Sequence, residues 1–447
     1  MSLNEVFEDI PSKLWKQKIQ FELNGLDYQT LIWKSPEDIS VRPFYHFDEN
    51  FKKHSSPPRL ESLIRCQKIY VADVEKTIEK INKIALRGVN GFWLIIPDET
   101  KNIHPILEQC PANVHLYIEC LFLSETYYKN INPLNPNIQL WLVNDPIFQL
   151  THTGNWFKNK ELDFKILNTF NTDYHTPILS IRTSHYQNAG ANIIQQLAFA
   201  LAQASEYFHH LENLKSPILI EVAIGGNFFF EIAKLKALRL LFASLSKEFN
   251  LPMDCQIIAI PSKRNKTLFT HENNLVRTTT EDLSAVLGNT DAVISLPADF
   301  MFKKENGYSN HLANNQLLIL EKETDLYLNH NPTEGNYYLD YLTHQMIEKS
   351  LLLFKEIERK GGFLALLKSG WIQHKIKESA LKEQEVFNQE KEIIIGANKH
   401  LSTDQVPDLE LYPFVKNKPR KTLIIPIVEK RLSEEIEKEI LSQKGLL

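Results

Sequence analysis

Between Pro177 and Asn250 the chain alternates twice between a short apolar run and a long amphipathic stretch. Ile178–Ile181 and Ile218–Ala223 are apolar almost throughout, the pattern of parallel strands covered on both faces. After the first, Ile193, Leu197, Leu201, Ala204, Phe208 and Leu211 recur at steps of four and three and trace one helical stripe. Asn192 with Gln195 supplies its start signal. The second long stretch, from about Asn227, is apolar nearly all round except at Glu231, Lys234, Lys236 and Arg239, so that helix must be heavily covered. The alternation extends both ways. Further candidate strands are Ile69–Val71, Phe92–Ile96, Val114–Cys120, Ile138–Val143, Gln256–Ile260 and Ala292–Leu296. Between the first two, Val74, Ile78, Ile81, Ile84 and Ala85 share a face of a helix over Val74–Leu86, with Gly88 as its stop. Eight such units predict an α/β fold, a (β/α)8 TIM barrel, whose functional face lies at the C-terminal ends of the strands.

The flanks follow a different pattern. Residues 1–60 read as an N-terminal arm, with a short helix around Leu14–Leu23 that ends at Asn24-Gly25. Trp15, Trp33, Phe44 and Tyr45 have no core of their own there, so the arm should lie on something else. The barrel takes 61–390, including a long helix over Tyr337–Leu367 with Ile347, Leu351, Phe354 and Ile357 in step. Residues 391–447 form a C-terminal extension. In it EKEIIIGANKHL and LELYPF read as an ordered return, and Val428–Leu441 as a charged amphipathic helix.

Composition narrows the function classes. A net charge of −5 with both signs mixed along 447 residues gives no footprint for nucleic acid. The basic cluster Lys416–Lys421 reads as a solvated connector. The four cysteines, Cys66, Cys110, Cys120 and Cys255, have no C-x-x-C spacing, which suits reduced cytosolic thiols and neither a metal site nor a disulfide framework. MSLNEVFEDIPSKLW lacks the apolar core of a secretory signal, and no run is long and apolar enough to span a membrane. The expectation is a soluble cytoplasmic protein.

Four segments then carry a resemblance. They are Ser184-His185-Tyr186-Gln187-Asn188-Ala189-Gly190, Gly226-Asn227-Phe228-Phe229-Phe230-Glu231-Ile232-Ala233-Lys234-Leu235, Asn274-Leu275-Val276-Arg277-Thr278-Thr279 and Asn331-Pro332-Thr333-Glu334-Gly335-Asn336-Tyr337-Tyr338. In this order they resemble the acyl-CoA-binding barrel of the methylmalonyl-CoA mutase family, and the likeness covers most of the chain. In that family a segment similar to the arm wraps the partner subunit. Catalytic members rearrange a methylmalonyl or succinyl thioester with adenosylcobalamin. The resemblance therefore implies three things to look for: a cobalamin domain, a substrate clamp and a group that holds the thioester oxygen.

The first two are missing where the family puts them. The sole Asp-x-His, Asp173-Tyr174-His175, has Ile178 in place of the glycine of Asp-x-His-x-x-Gly and runs into a barrel strand. The arginine- and aromatic-rich stretch is replaced by SSPPRLESLIRCQKIYVADVEK after Pro43-Phe44-Tyr45-His46. For the third, His185 is in register with the family's catalytic histidine, but Ser184 stands for its tyrosine and Asn188 for its glutamate. His185 is thus a weak catalytic candidate, and no catalytic, cofactor-binding or metal-ligating residue is expected. Gly225-Gly226-Asn227 reads as tight strand–helix packing, and Asp145-Pro146 through Gly154 as a structural turn like that of the family's non-catalytic subunits. Gly288–Val293 passes almost directly to Leu296-Pro297, without the catalytic chains' insertion.

These losses imply the small, non-catalytic subunit of a heterodimeric methylmalonyl-CoA mutase. Adenosylcobalamin and the acyl-CoA would then sit on the large subunit, with no nucleic acid or membrane as partner. Two alternatives stand beside it: a catalytic half of a split acyl-CoA mutase, and a non-enzymatic acyl-CoA-binding module.

Overall fold

The computed structural model describes residues 10–49, 62–131, 137–173, 178–212, 214, 216–251, 254–324, 326, 331–403, 406–416 and 420–446. Eight parallel strands form its centre: β1 (Ile64–Tyr70), β2 (Gly91–Ile96), β3 (His115–Cys120), β4 (Gln139–Leu142), β5 (Ser180–Arg182), β6 (Ile218–Ile224), β7 (Cys255–Pro261) and β8 (Ala292–Val293). Their order is β4-β3-β2-β1-β8-β7-β6-β5. A parallel bridge from Asn144 to Leu179, with the Ser180 N–H donating to the Asn144 carbonyl at 2.9 Å, joins β4 to β5 and closes the ring. All eight candidate strands are present in the expected barrel. β1 begins well before Ile69 because Ile64 and Cys66 point into the barrel core while Arg65 points outward and pairs with Glu321. That alternation hides the strand from a search for continuous apolar runs. β8 ends early because the chain turns away towards Pro297, after Ile294 has made its last bond to the Ala259 carbonyl.

The helices are α1 (Val74–Ala85), α2 (Pro146–Thr153), α3 (Thr183–Asn188), α4 (Ile193–His210), α5 (Phe228–Glu248), α6 (Tyr337–Arg359) and α7 (Glu434–Gln443), with others between them. α4 starts as expected on a reciprocal box. The Asn192 side chain accepts from the Gln195 N–H at 2.9 Å, and the Gln195 side chain accepts from the Asn192 N–H at 3.1 Å. α5 is heavily covered, and even Glu231 and Lys234 are buried. The Lys234 ammonium pairs with Glu231 and donates to the Ala223 carbonyl at 2.6 Å, so neither charge is left alone in the core.

Two helices differ from expectation. The long helix stops at Arg359, because Gly361 and Gly362 adopt φ of 106° and 90° and a separate helix, Phe363–Ser369, follows. The C-terminal helix starts only at Glu434. Val428–Leu432, read as helical, instead belongs to an extended strap.

In the arm, Trp33–Lys34 pairs antiparallel with Ser40–Val41, Ile39 is fully buried in the main core, and Tyr45 stacks on Tyr338 at 5.1 Å. This part lies on its own barrel. The helix Ser12–Glu22 buries no residue and leaves Leu14, Trp15 and Phe21 exposed.

Candidate functional site at the barrel mouth

Parallel register sets one row of inward positions: Lys68 beside Trp93, Trp93 beside Tyr117, and Tyr117 beside Trp141. The three rings stack, with centroids 5.9 and 6.4 Å apart. From the far wall, Gln256 donates to the Tyr117 hydroxyl oxygen at 3.0 Å. Lys68 reaches across to Glu221 at 2.8 Å, and its ammonium lies 4.4 Å from the Trp93 ring centre. Arg182 pairs with Glu119 at 2.8 Å, and the Trp93 indole N–H donates to Glu119 at 2.6 Å. The Ser184 hydroxyl donates to Glu221. Burial pushes the Glu221 carboxyl up, but Lys68 and Arg182 outweigh it and hold it at about 2. The two cations and two anions thus satisfy one another across the barrel, and the chain's own side chains occupy its centre.

Above this layer, β5 leads into α3, which carries Ser184 and His185. His185 is fully buried. Its Nδ1 lies 3.1 Å from a Glu429 oxygen, and the Phe148 and His152 rings each stand 5.3 Å from its own. The other Glu429 oxygen accepts from Lys263 at 3.0 Å. Burial pushes the Glu429 carboxyl up, yet Lys263 and His185 outweigh that and hold it well below the usual carboxylate range.

Glu429 arrives on the strap, residues 422–433, which crosses the loops after β4, β5 and β7. The Ile427 N–H donates to Thr151 at 2.8 Å, Lys430 to Asn188 at 3.0 Å and Leu432 to Arg264 at 2.9 Å. Gly154 has φ +81°, and a Cβ there would lie 2.7 Å from Thr422 and 2.8 Å from the Ile424 carbonyl.

The other residues singled out in the sequence have structural partners. Asn188 accepts from the Lys263 N–H at 2.9 Å. Asp145 caps a regular helix, α2, and so heads more than a turn. It accepts from the Phe148 N–H at 2.8 Å and from the Tyr207 hydroxyl at 2.6 Å. Burial nevertheless raises its carboxyl to about 6. A Cβ on Gly225 would meet Gln187 at 2.8 Å, which is the close packing expected there. Of the two remaining segments singled out in the sequence, Tyr174-His175 and residues 417–419 lie outside the described residues.

The sequence located His185 but missed what surrounds it. Charges inside apolar strands, Glu221 in ILIEVAI and Glu119 in HLYIEC, were a visible signal of an internal ion network. Nothing local marked Glu429. Among the described residues no group of three or more His, Cys, Asp or Glu side chains is placed to hold a metal ion, and no helix is long and apolar enough to cross a membrane.

A closed α/β barrel with its mouth strapped by the C-terminal segment defines the class of protein. Residues 158–439 match the family model described as methylmalonyl-CoA mutase, and the chain belongs to that family. It is similar, at 28% identity over 443 residues, to the methylmalonyl-CoA mutase small subunit of Porphyromonas gingivalis, covering 88% of this chain and 70% of that one. With the methylmalonyl-CoA mutase of Rhizobium meliloti it shares 32% over 244 residues, 51% of this chain and 34% of that one. With the large subunit from Porphyromonas gingivalis it shares 29% over 241 residues, 50% and 33% respectively. The match thus spans about a third of the length of the last two. The family uses adenosylcobalamin.

Proposed function

We propose that this chain is the small subunit of a two-chain methylmalonyl-CoA mutase, which interconverts methylmalonyl-CoA and succinyl-CoA in the cytoplasm. A large subunit holds adenosylcobalamin and the thioester, and this chain stabilises it without performing chemistry. The observation that carries the reading is the filled interior. Trp93, Tyr117 and Trp141 stack inside the barrel, and Lys68 bridges to Glu221 across the same space. The residues at the mouth do not fit a corrinoid or a thioester either, since Glu429 already engages His185 and Lys263. The likeness to a small subunit over 88% of the chain supports the same reading. Among the described residues of the arm, the helix Ser12–Glu22, with its exposed Leu14, Trp15 and Phe21, offers an apolar face to the partner.

Reconstitution tests this. The isolated chain should show no turnover and retain no corrinoid through gel filtration. With its large subunit it should form a 1:1 complex that buries roughly 2,000 Å² or more. His185→Ala in that complex should leave turnover within about twofold of the parent. A loss of about a hundredfold, the scale of removing an oxyanion-stabilising donor, would instead make His185 catalytic. Tight binding of a CoA thioester to the isolated chain would favour a binding module.

A further inference from the structure

The clamp on Glu429 is built from parts that do not depend on Glu429. His185 is held by α3 after β5, and Lys263 by the loop after β7, where its N–H is fixed to Asn188 at 2.9 Å. Phe148 and His152 of α2 form the aromatic wall. The strap that delivers the carboxylate is itself anchored by main-chain bonds on both sides, from Ile427 to Thr151 and from Lys430 to Asn188. Solvent reaches the pair from one side, with the Lys263 side chain 44% and the Glu429 side chain 25% exposed. The His185 Nε2, on the inner side, finds no hydrogen-bond partner among the described residues. Removing only the Glu429 carboxylate would therefore leave two aligned donors, an aromatic wall and an approach from water.

We infer that the barrel mouth is a binding site for a small carboxylate, which the chain fills with its own Glu429. The ligand class follows from the geometry. Each oxygen of one planar carboxylate meets one donor, at 3.1 and 3.0 Å, and the space available is that of the Glu429 side-chain end, the size of formate or acetate. Charge-assisted bonds of this kind are about twice as strong as neutral ones, so the occupant also fastens the strap. The imidazole that the resemblance aligns with a thioester-binding histidine is thereby engaged by an internal anion. This deepens the reading of the mouth as non-catalytic and rests on it, yet it makes its own demand on the isolated chain.

The test is anion rescue of the variant Glu429→Ala, followed by thermal unfolding of the isolated chain at pH 7. Sodium formate, acetate and chloride are compared at equal ionic strength. The expected result is a Tm a few degrees below the parent, recovered in good part by millimolar formate or acetate but not by chloride, with no effect of any of them on the parent. The double variant Glu429→Ala/His185→Ala should lose the recovery. An unchanged Tm, or equal responses to acetate and chloride, overturns the inference. If Glu429→Ala does not fold, Glu429→Gln keeps the shape without the charge. It must then melt below the parent, and an equal Tm counts against the site. No large subunit or turnover enters these readouts, so reconstitution can fail while rescue succeeds, or the reverse.

Discussion

Glu221 lies inside an otherwise apolar strand and is 5% exposed, a position where an unpaired carboxylate would be costly. Lys68 and Arg182 reverse that cost. The carboxyl titrates at about 2 in the folded chain against an ordinary 4.5, and a depressed carboxylate of this kind contributes stability above its unfolded value that is lost as pH falls towards the folded one. The shift corresponds to a contribution on the order of 3 kcal/mol at neutral pH. Glu221→Gln should therefore cost a comparable amount at pH 7, since it leaves Lys68 facing a neutral amide. In urea unfolding, the gap between variant and parent should narrow as pH drops from 4.5 towards 2. Asp145 acts in the opposite sense: raised to about 6, it gains stability on protonation as pH falls below 6. It is present in both proteins, so the difference between their curves isolates Glu221. A gap that stays constant down to pH 2 would rule out the ion network as its source.

The strap is the element that local sequence could not disclose. Strands β2, β3 and β6, helix α1 and the start of α4 were legible because period-2 and period-3.6 patterns and caps act over a few residues. Val428-Glu429-Lys430-Arg431-Leu432 has the charge spacing of a surface helix, yet contacts far away in sequence hold it extended. The Leu423 N–H, for example, bonds to Asn155, 268 positions away. The Gly361-Gly362 break escaped notice for a related reason, since apolar periodicity continues across it while the backbone does not. Gly154 shows how closely the strap is seated. Its left-handed φ, with the strap 2.7–2.8 Å from where a Cβ would be, makes Gly154→Ala both strained and overpacked. The expected cost is about 2–4 kcal/mol. Limited proteolysis should show new cleavage within 420–433, and a parent-like digestion pattern would mean that the strap tolerates the displacement.

Across the molecule, the barrel and the alignment of His185 could be read in advance. The barrel arises from repeated local units, and His185 from a motif within one loop. Its partner Glu429 comes from the C-terminal segment, and Lys263, which shares that carboxylate, from the loop after β7, and only the folded chain brings them together. The arm divides in the same way. Its hairpin and Tyr45 belong to this barrel, whereas Ser12–Glu22 buries no residue and, among the described residues, meets the rest of the arm through the Ser12 N–H bond to Asp48 at 2.8 Å and Lys16 over the Tyr28 ring. Deleting residues 1–26 should leave the melting temperature of the isolated chain nearly unchanged but reduce recovery of the complex with the large subunit in gel filtration. Full recovery would remove the helix from the interface. The strap has a further consequence for how the chain is made. Ribosomes release the N-terminal part first, so all eight strands can emerge before residues 422–433 exist. During that interval the floor under Ile424 and Ile427 meets water, and His185 has no internal anion. A nascent chain halted at residue 421 would carry a barrel with its upper end bare. Synthesis of residues 422–433, rather than closure of the sheet, is therefore the step that hides this surface from chaperones and proteases.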